Sequence, residues 1–156
     1  MSDPGRKNLT HEQAGAIADD IQKHAIPVVF DSNVNRQIRG AFAGYRMGID
    51  GGDAEHVAAL VSQCEAFVGI DSGPAHAACS TNTPALVVWT GHHPLQYMDP
   101  APNVLHLVPE NHREMEPVRG HPGCADWFEG NYRWRAYRPF SGVVDGVRAW
   151  LGEVLR

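Results

Sequence analysis

A chain of 156 residues has the length of one domain and can bury a real core. Its 43% hydrophobic and 20% charged content is ordinary for a globular fold, and a net charge of −5 excludes the basic footprint of a general nucleic-acid binder. No apolar run approaches the length of a membrane span, and the first residues carry no apolar signal core.

The first periodic segment opens at Thr10-His-Glu-Gln13, a capping box in which Thr10 and Gln13 satisfy each other's backbone N–H groups. Ala14, Ile17, Ala18 and Ile21 then recur at helical spacing, predicting a helix over 11–24. Residues 26–30, Ile-Pro-Val-Val-Phe, read as a buried strand with Pro27 near its start. Asp31-Ser32-Asn33 is a turn before a second helix over 34–43, and 45–49 a short strand. Gly51 and Gly52 lie in a loop, and Asp53 caps a helix over 54–64.

Residues 66–70 form a short apolar run with the length and β-branched content of a buried strand. Asp71-Ser72-Gly73-Pro74 stops it, and small helix-compatible residues follow from Ala75 to Cys79. Gly73 supplies the tight turn because it lacks a Cβ. Pro74 suits the first helical position, where a missing N–H costs nothing. A strand, a sharp turn and a helix start turn free N–H groups and a positive dipole end into one crevice, which is an anion site. Strands at 85–90 and 103–108 follow. Continuous apolar character suits a sheet covered on both faces. Residues 109–140 show no period, yet carry Trp127, Phe128, Tyr132, Trp134 and Tyr137, so they read as an irregular, packed, aromatic-rich segment. Ser141 caps a final helix over 141–155 with an apolar stripe from Val143 to Leu155.

Strands alternating with helices predict a single α/β domain with a doubly wound, mainly parallel, Rossmann-like sheet. Ligands of such sheets bind outside the carboxyl ends of the strands, where the loops at Asp31, Gly51 and Asp71 all fall. Cys64, Cys79 and Cys124 are widely spaced and odd in number, as expected of reduced structural thiols in a cytoplasmic protein. His92, His93, His106, His112, His121 and Cys124 invite a metal reading, but only His121-Pro-Gly-Cys124 has a chelating spacing, so no metal site is assigned. Arg133-Trp134-Arg135 reads as part of a packed aromatic loop, with a carbohydrate or partner surface as the alternative.

The string Asp71-Ser72-Gly73-Pro74-Ala75-His76 resembles the D-[ST]-G-P-x-H signature of family 9 glycosyltransferases, the lipopolysaccharide heptosyltransferases and their relatives. The flanks at 58–70 and at 83–89, followed by Gly91, are similar to the family's elements around that loop, and the similarity spans about residues 12–108. The resemblance implies the C-terminal, nucleotide-sugar-binding half of a GT-B fold. The donor diphosphate would then lie on the N–H groups of Ser72 and Gly73 and on the helix opened by Pro74, with no metal and no other cofactor required. Asp71 would bond sugar hydroxyls or accept N–H groups inside its turn. His76 would donate to a phosphate or pack under the loop. Asp31, Gly51 and His93 are further candidates for donor contacts.

Two departures from the family pattern stand out. The loop after residues 26–30 lacks the glutamate that often contacts the ribose, leaving Asp31 as a substitute. The acceptor site and catalytic base of a GT-B enzyme lie on a second domain, so transfer is expected to need another GT-B half or another copy of this chain. The alternative is a non-catalytic nucleotide-binding or regulatory module. The family's half-domain also opens with a central strand, which the polar, Pro- and Gly-broken residues 1–9 cannot form. Direct pairing of 26–30 with 66–70 is the first expectation; a strand from a second copy or a longer natural protein are the others.

Overall fold

The computed structural model describes residues 9–28, 53–112, 132–137 and 142–156. The described elements are α1 (His11–Gln22), α2 (Ala54–Val61), β1 (Phe67–Ile70), α3 (Gly73–Cys79), β2 (Ala85–Val88), α4 (Pro94–Tyr97), β3 (Val104–Pro109), β4 (Arg133–Tyr137) and α5 (Gly142–Val154). The four strands are all parallel, in the order β1-β2-β3-β4. This is an α/β Rossmann-like fold, as the alternation of strands and helices predicts.

Strand residues alternate between two cores. Ala85, Val87, Val104 and Val108 face α2 and α3 through Val57, Val61, Ala75, Ala77 and Ala78. Leu86, Val88, Leu105 and Leu107 face α1 and α5 through Ile17, Val143, Val147, Trp150 and Leu151. Helices thus cover both faces, which is why β2 and β3 are apolar at successive positions rather than at every second one. The stripe of α5 packs across the sheet, as its spacing predicts.

Local chemistry sets the helix starts. The Thr10 side chain accepts from Gln13 N at 3.1 Å, and Gln13 Oε1 accepts from Thr10 N at 2.9 Å, completing the capping box. Asp53 caps α2 by accepting from His56 N at 2.9 Å. Across the α1–α5 contact, the buried Asp20 carboxylate accepts from Arg148 Nε at 2.8 Å and Lys23 Nζ at 2.7 Å. These charge-assisted bonds, led by Lys23, hold its carboxyl below the ordinary carboxylate value, against the opposing effect of burial.

Three expectations need correction. Residues 26–28 are not a buried strand: they are outside any strand, and Ile26 is 91% exposed. The last turn of α1 runs on, with Ala25 N bonding Ile21 O at 2.8 Å, and Pro27 follows at once with no N–H for a ladder. Direct pairing with β1 therefore fails for these residues; among the described residues β1 bonds only β2. Second, part of the segment read as irregular is a strand, β4, so Arg133-Trp134-Arg135 lies, among the described residues, at the sheet edge rather than in a loop. An edge strand with one neighbour needs no continuous apolar run: Arg133 donates to Pro102 O at 2.8 Å, and Arg135 pairs with Glu153 at 3.1 Å. Third, α2 stops at Val61, with Ser62 Oγ donating to Ala59 O at 2.6 Å near its end. The elements expected at 34–43 and 45–49, the cap at Ser141, and Asp31, Gly51, Gly52, His121 and Cys124 lie outside the described residues.

Candidate functional site

β1 and β2 run in register, with Ile70 opposite Val88, so the chain leaves both strands at the same sheet edge. Asp71 and Ser72 follow β1, and Gly91, His92 and His93 follow β2. The Ser72 backbone is extended (φ −159°, ψ 164°) and its carbonyl accepts from His76 N at 3.2 Å, the first bond of α3. Its hydroxyl turns back to Ile70 O at 3.0 Å and does not cap the helix. Pro74 stands in the first turn, as predicted.

The turn does not use Gly73 for the backbone freedom expected of it. Its φ is not in the left-handed region, so the turn makes no special backbone demand on it. A Cβ built there would meet nothing within 4 Å. The space before this residue is open.

Asp71 is the polar centre of the site. Its side chain is only 7% exposed, and two histidines, His76 from α3 and His92 from the loop after β2, approach its two oxygens. His76 Nε2 lies 3.9 Å from Oδ1, and His92 Nδ1 lies 3.4 Å from Oδ2. The His76 side chain is 44% exposed, so it is not packed beneath the loop. It borders a recess of about 340 Å³ that Tyr97 and Asp99 also line. The His92 ring meets the edge of Tyr97 with ring centroids 4.9 Å apart. A larger recess, of about 630 Å³, lies at the opposite, amino-terminal edge of the sheet, between Ser62 and Thr83, and has no part in this cluster.

His93 does not face the crevice. It is 1% exposed, stacked on His112 at 5.6 Å and edge-on to Trp134 at 6.4 Å. Burial, with the nearby His112, brings its pKa down to about 4, which keeps it neutral. The position expected for it next to the signature belongs to its neighbour His92. In the sequence His92 stands out only among scattered metal-ligand types; its place in the loop after β2, at the ligand-binding edge, is the signal that points to it.

Below the site runs a buried polar seam. His106 in β3 accepts from Trp89 Nε1 at 3.0 Å through Nδ1 and touches the Tyr132 ring at 5.2 Å. Burial brings its pKa to about 3, so the imidazole is neutral with its proton on Nε2. Tyr132 donates to Met98 O, and burial, with Asp99 close by, pushes its hydroxyl up to about 12. Tyr137 donates to Trp89 O at 2.9 Å, tying β4 to the end of β2. Among the described residues no three His, Cys, Asp or Glu side chains come together as a metal site. Burial raises the thiol pKa of both Cys64 and Cys79, and neither is disulfide-bonded.

Comparison with known proteins gives one match. No curated protein and no solved structure matched the chain. Residues 53–120, which hold the strand–turn–helix, Asp71 and both histidines beside it, match the model of glycosyltransferase family 9 (heptosyltransferase), and this match supports a glycosyltransferase.

Proposed function

We propose that the chain binds a nucleotide-diphosphate sugar at the turn formed by Asp71, Ser72, Gly73, Pro74 and His76, as the donor half of a GT-B glycosyltransferase. In this reading a heptose-like sugar passes to a glycan or lipopolysaccharide-type acceptor held by a separate acceptor domain. The observation that carries it is the open space in front of Gly73, at the carboxyl edge of a parallel sheet, inside the segment that matches the family. Negative charge builds on the leaving diphosphate as the glycosidic bond breaks. N–H groups already fixed in the turn stabilise that charge without reorganising. The exposed imidazole of His76 stands beside them as a further donor. No helix of the described residues is long and apolar enough to cross a membrane, and the free thiols of Cys64 and Cys79 accord with a cytoplasmic setting.

Calorimetric titration with UDP, ADP, GDP and CDP at up to millimolar concentration tests the reading. Binding of at least one is expected, and no heat with any of them would overturn it. Sugar-nucleotide turnover assayed with and without an added acceptor domain then separates transfer from binding: none above background is expected from the chain alone.

A further inference from the structure

We propose that the recess of about 340 Å³ beside α3 is a sugar subsite, with Tyr97 as the surface on which the sugar ring packs and Asp99 as the acceptor for its hydroxyls. This deepens the donor-site reading above and rests on it. One wall of the recess is the face of α3 on which His76, Cys79 and Ser80 follow at helical spacing, and the other is the chain from Tyr97 to Ala101. Its volume is at the low end of the ~300–1,000 Å³ usual for ligand sites, which suits one sugar ring and not a whole sugar nucleotide.

The lining has an apolar part and a polar part. Buried Met98 accepts from Cys79 Sγ at 3.3 Å, and Pro100 and Ala101 extend the same apolar surface. Tyr97 is 45% exposed, although the His92 ring rests against it with centroids 4.9 Å apart. An aromatic ring that is open to solvent and braced from one side offers area for packing at little cost in ordering. The exposed Asp99 carboxylate and the exposed His76 imidazole supply the polar part. A pyranose divides in the same way, with C–H groups on its faces and hydroxyls around its edge. An ionised carboxylate only accepts, and its bonds to hydroxyl donors are charge-assisted.

Charge decides which part of a sugar nucleotide enters. None of the described lining residues is Lys or Arg, and Asp99 repels an anion, so the recess refuses the diphosphate and admits a neutral polyol. His76 joins the two places: it lines the recess, and its Nε2 lies 3.9 Å from Asp71 Oδ1. Gly73, with the open space in front of it, begins the same helix one turn earlier, about 4.5 Å along the axis. A diphosphate before Gly73 and a sugar in the recess are therefore neighbours within one ligand.

The test is calorimetric titration of the natural chain, Tyr97→Ala and Asp99→Asn with three pairs of ligands: UDP and UDP-glucose, ADP and ADP-glucose, GDP and GDP-mannose. At least one sugar nucleotide is expected to bind the natural chain, about 5-fold more weakly after Tyr97→Ala and about 10-fold more weakly after Asp99→Asn. The matching diphosphate should bind Tyr97→Ala unchanged and Asp99→Asn as well or more tightly, because a repelling charge has gone. A residue with only a structural role would weaken both ligands of a pair. Tyr97→Phe keeps the ring and should keep the sugar nucleotide's affinity, which separates a lost contact from a lost fold. If Tyr97→Ala and Asp99→Asn leave sugar-nucleotide binding unchanged, or weaken both ligands alike, the subsite proposal is overturned and the diphosphate site stands without it. Binding of a diphosphate but of no sugar nucleotide overturns it equally. If nothing binds the natural chain, the donor-site reading falls and the subsite with it.

Discussion

Asp71, Gly73 and the histidine pair show how far single residues can be read. Gly73 carries the sharpest test. Because a side chain there enters open space without backbone strain, Gly73→Val should leave the thermal midpoint within a few degrees of the natural chain's. The same substitution should abolish nucleoside-diphosphate binding, since the isopropyl group stands where the phosphate is placed. Unchanged binding by calorimetry would move the ligand elsewhere. Asp71 and His76 were legible in the sequence because their geometry is local, set by a strand end and the first turn of a helix. The choice between His92 and His93 was not. His93 turns inward onto His112 and Trp134, which lie 19 and 41 positions further along the chain, and no local pattern reports which of two adjacent imidazoles such distant rings will claim. Gly69 adds a different kind of constraint. A Cβ there would come 2.6 Å from the Phe67 ring, so this strand position is glycine for want of space.

At the scale of elements, α1, α2, α3, α5 and the strands β1, β2 and β3 were legible from capping residues and periodicity. Two elements misled. Residues 26–28 have strand-like composition but come too soon after α1, whose last turn extends to Ala25. β4 has the composition of a loop because its two arginines make contacts outside the sheet, to Pro102 and Glu153. The α5 stripe makes the clearest energetic prediction. Trp150 is 4% exposed in the core shared with Ile17, Leu105 and Leu107. Trp150→Ala should destabilise the fold by about 3 kcal/mol or more in urea denaturation, as the cavity adds to the lost transfer energy. A loss within experimental error would mean that α5 contributes little to the fold.

For the molecule as a whole, the buried histidines set an acid limit. His93 and His106 have folded pKa values of about 4 and about 3, below the ordinary 6.5. Between those values the unfolded chain binds protons that the folded chain refuses, so stability falls as pH falls. Their contribution is complete above about pH 6.5 and is eroded towards pH 4 and pH 3, by about 1.4 kcal/mol per histidine per unit. Asp20, whose folded value is lowered from 3.8, keeps its full share above that ordinary value and loses it as pH falls below it and through the folded value. The urea midpoint should therefore be level from pH 7 to 8 and decline steadily below about 6.5. A midpoint unchanged down to pH 5 would show that these imidazoles protonate without cost.

The division of the sheet into two cores bears on how this sequence can change over time. In β2, Ala85 and Val87 lie under the alanine-lined α3 that carries the signature, while Leu86 and Val88 lie under α1 and α5. In β3 the parity is reversed, with Val104 and Val108 on the signature side and Leu105 and Leu107 on the other. α3 contributes only small side chains to that core, the buried Ala75, Ala77 and Ala78 and the partly buried Cys79, and so has no long side chain of its own to absorb a volume change directly beneath it. A larger residue directly beneath α3 displaces the helix and the Asp71 turn together, while one against α5 is taken up by rearrangement among leucines and Trp150. Drift in sequence is thus free to remodel the side of the interior under α5, while the positions directly beneath α3 are held to their present volumes for as long as the crevice is used.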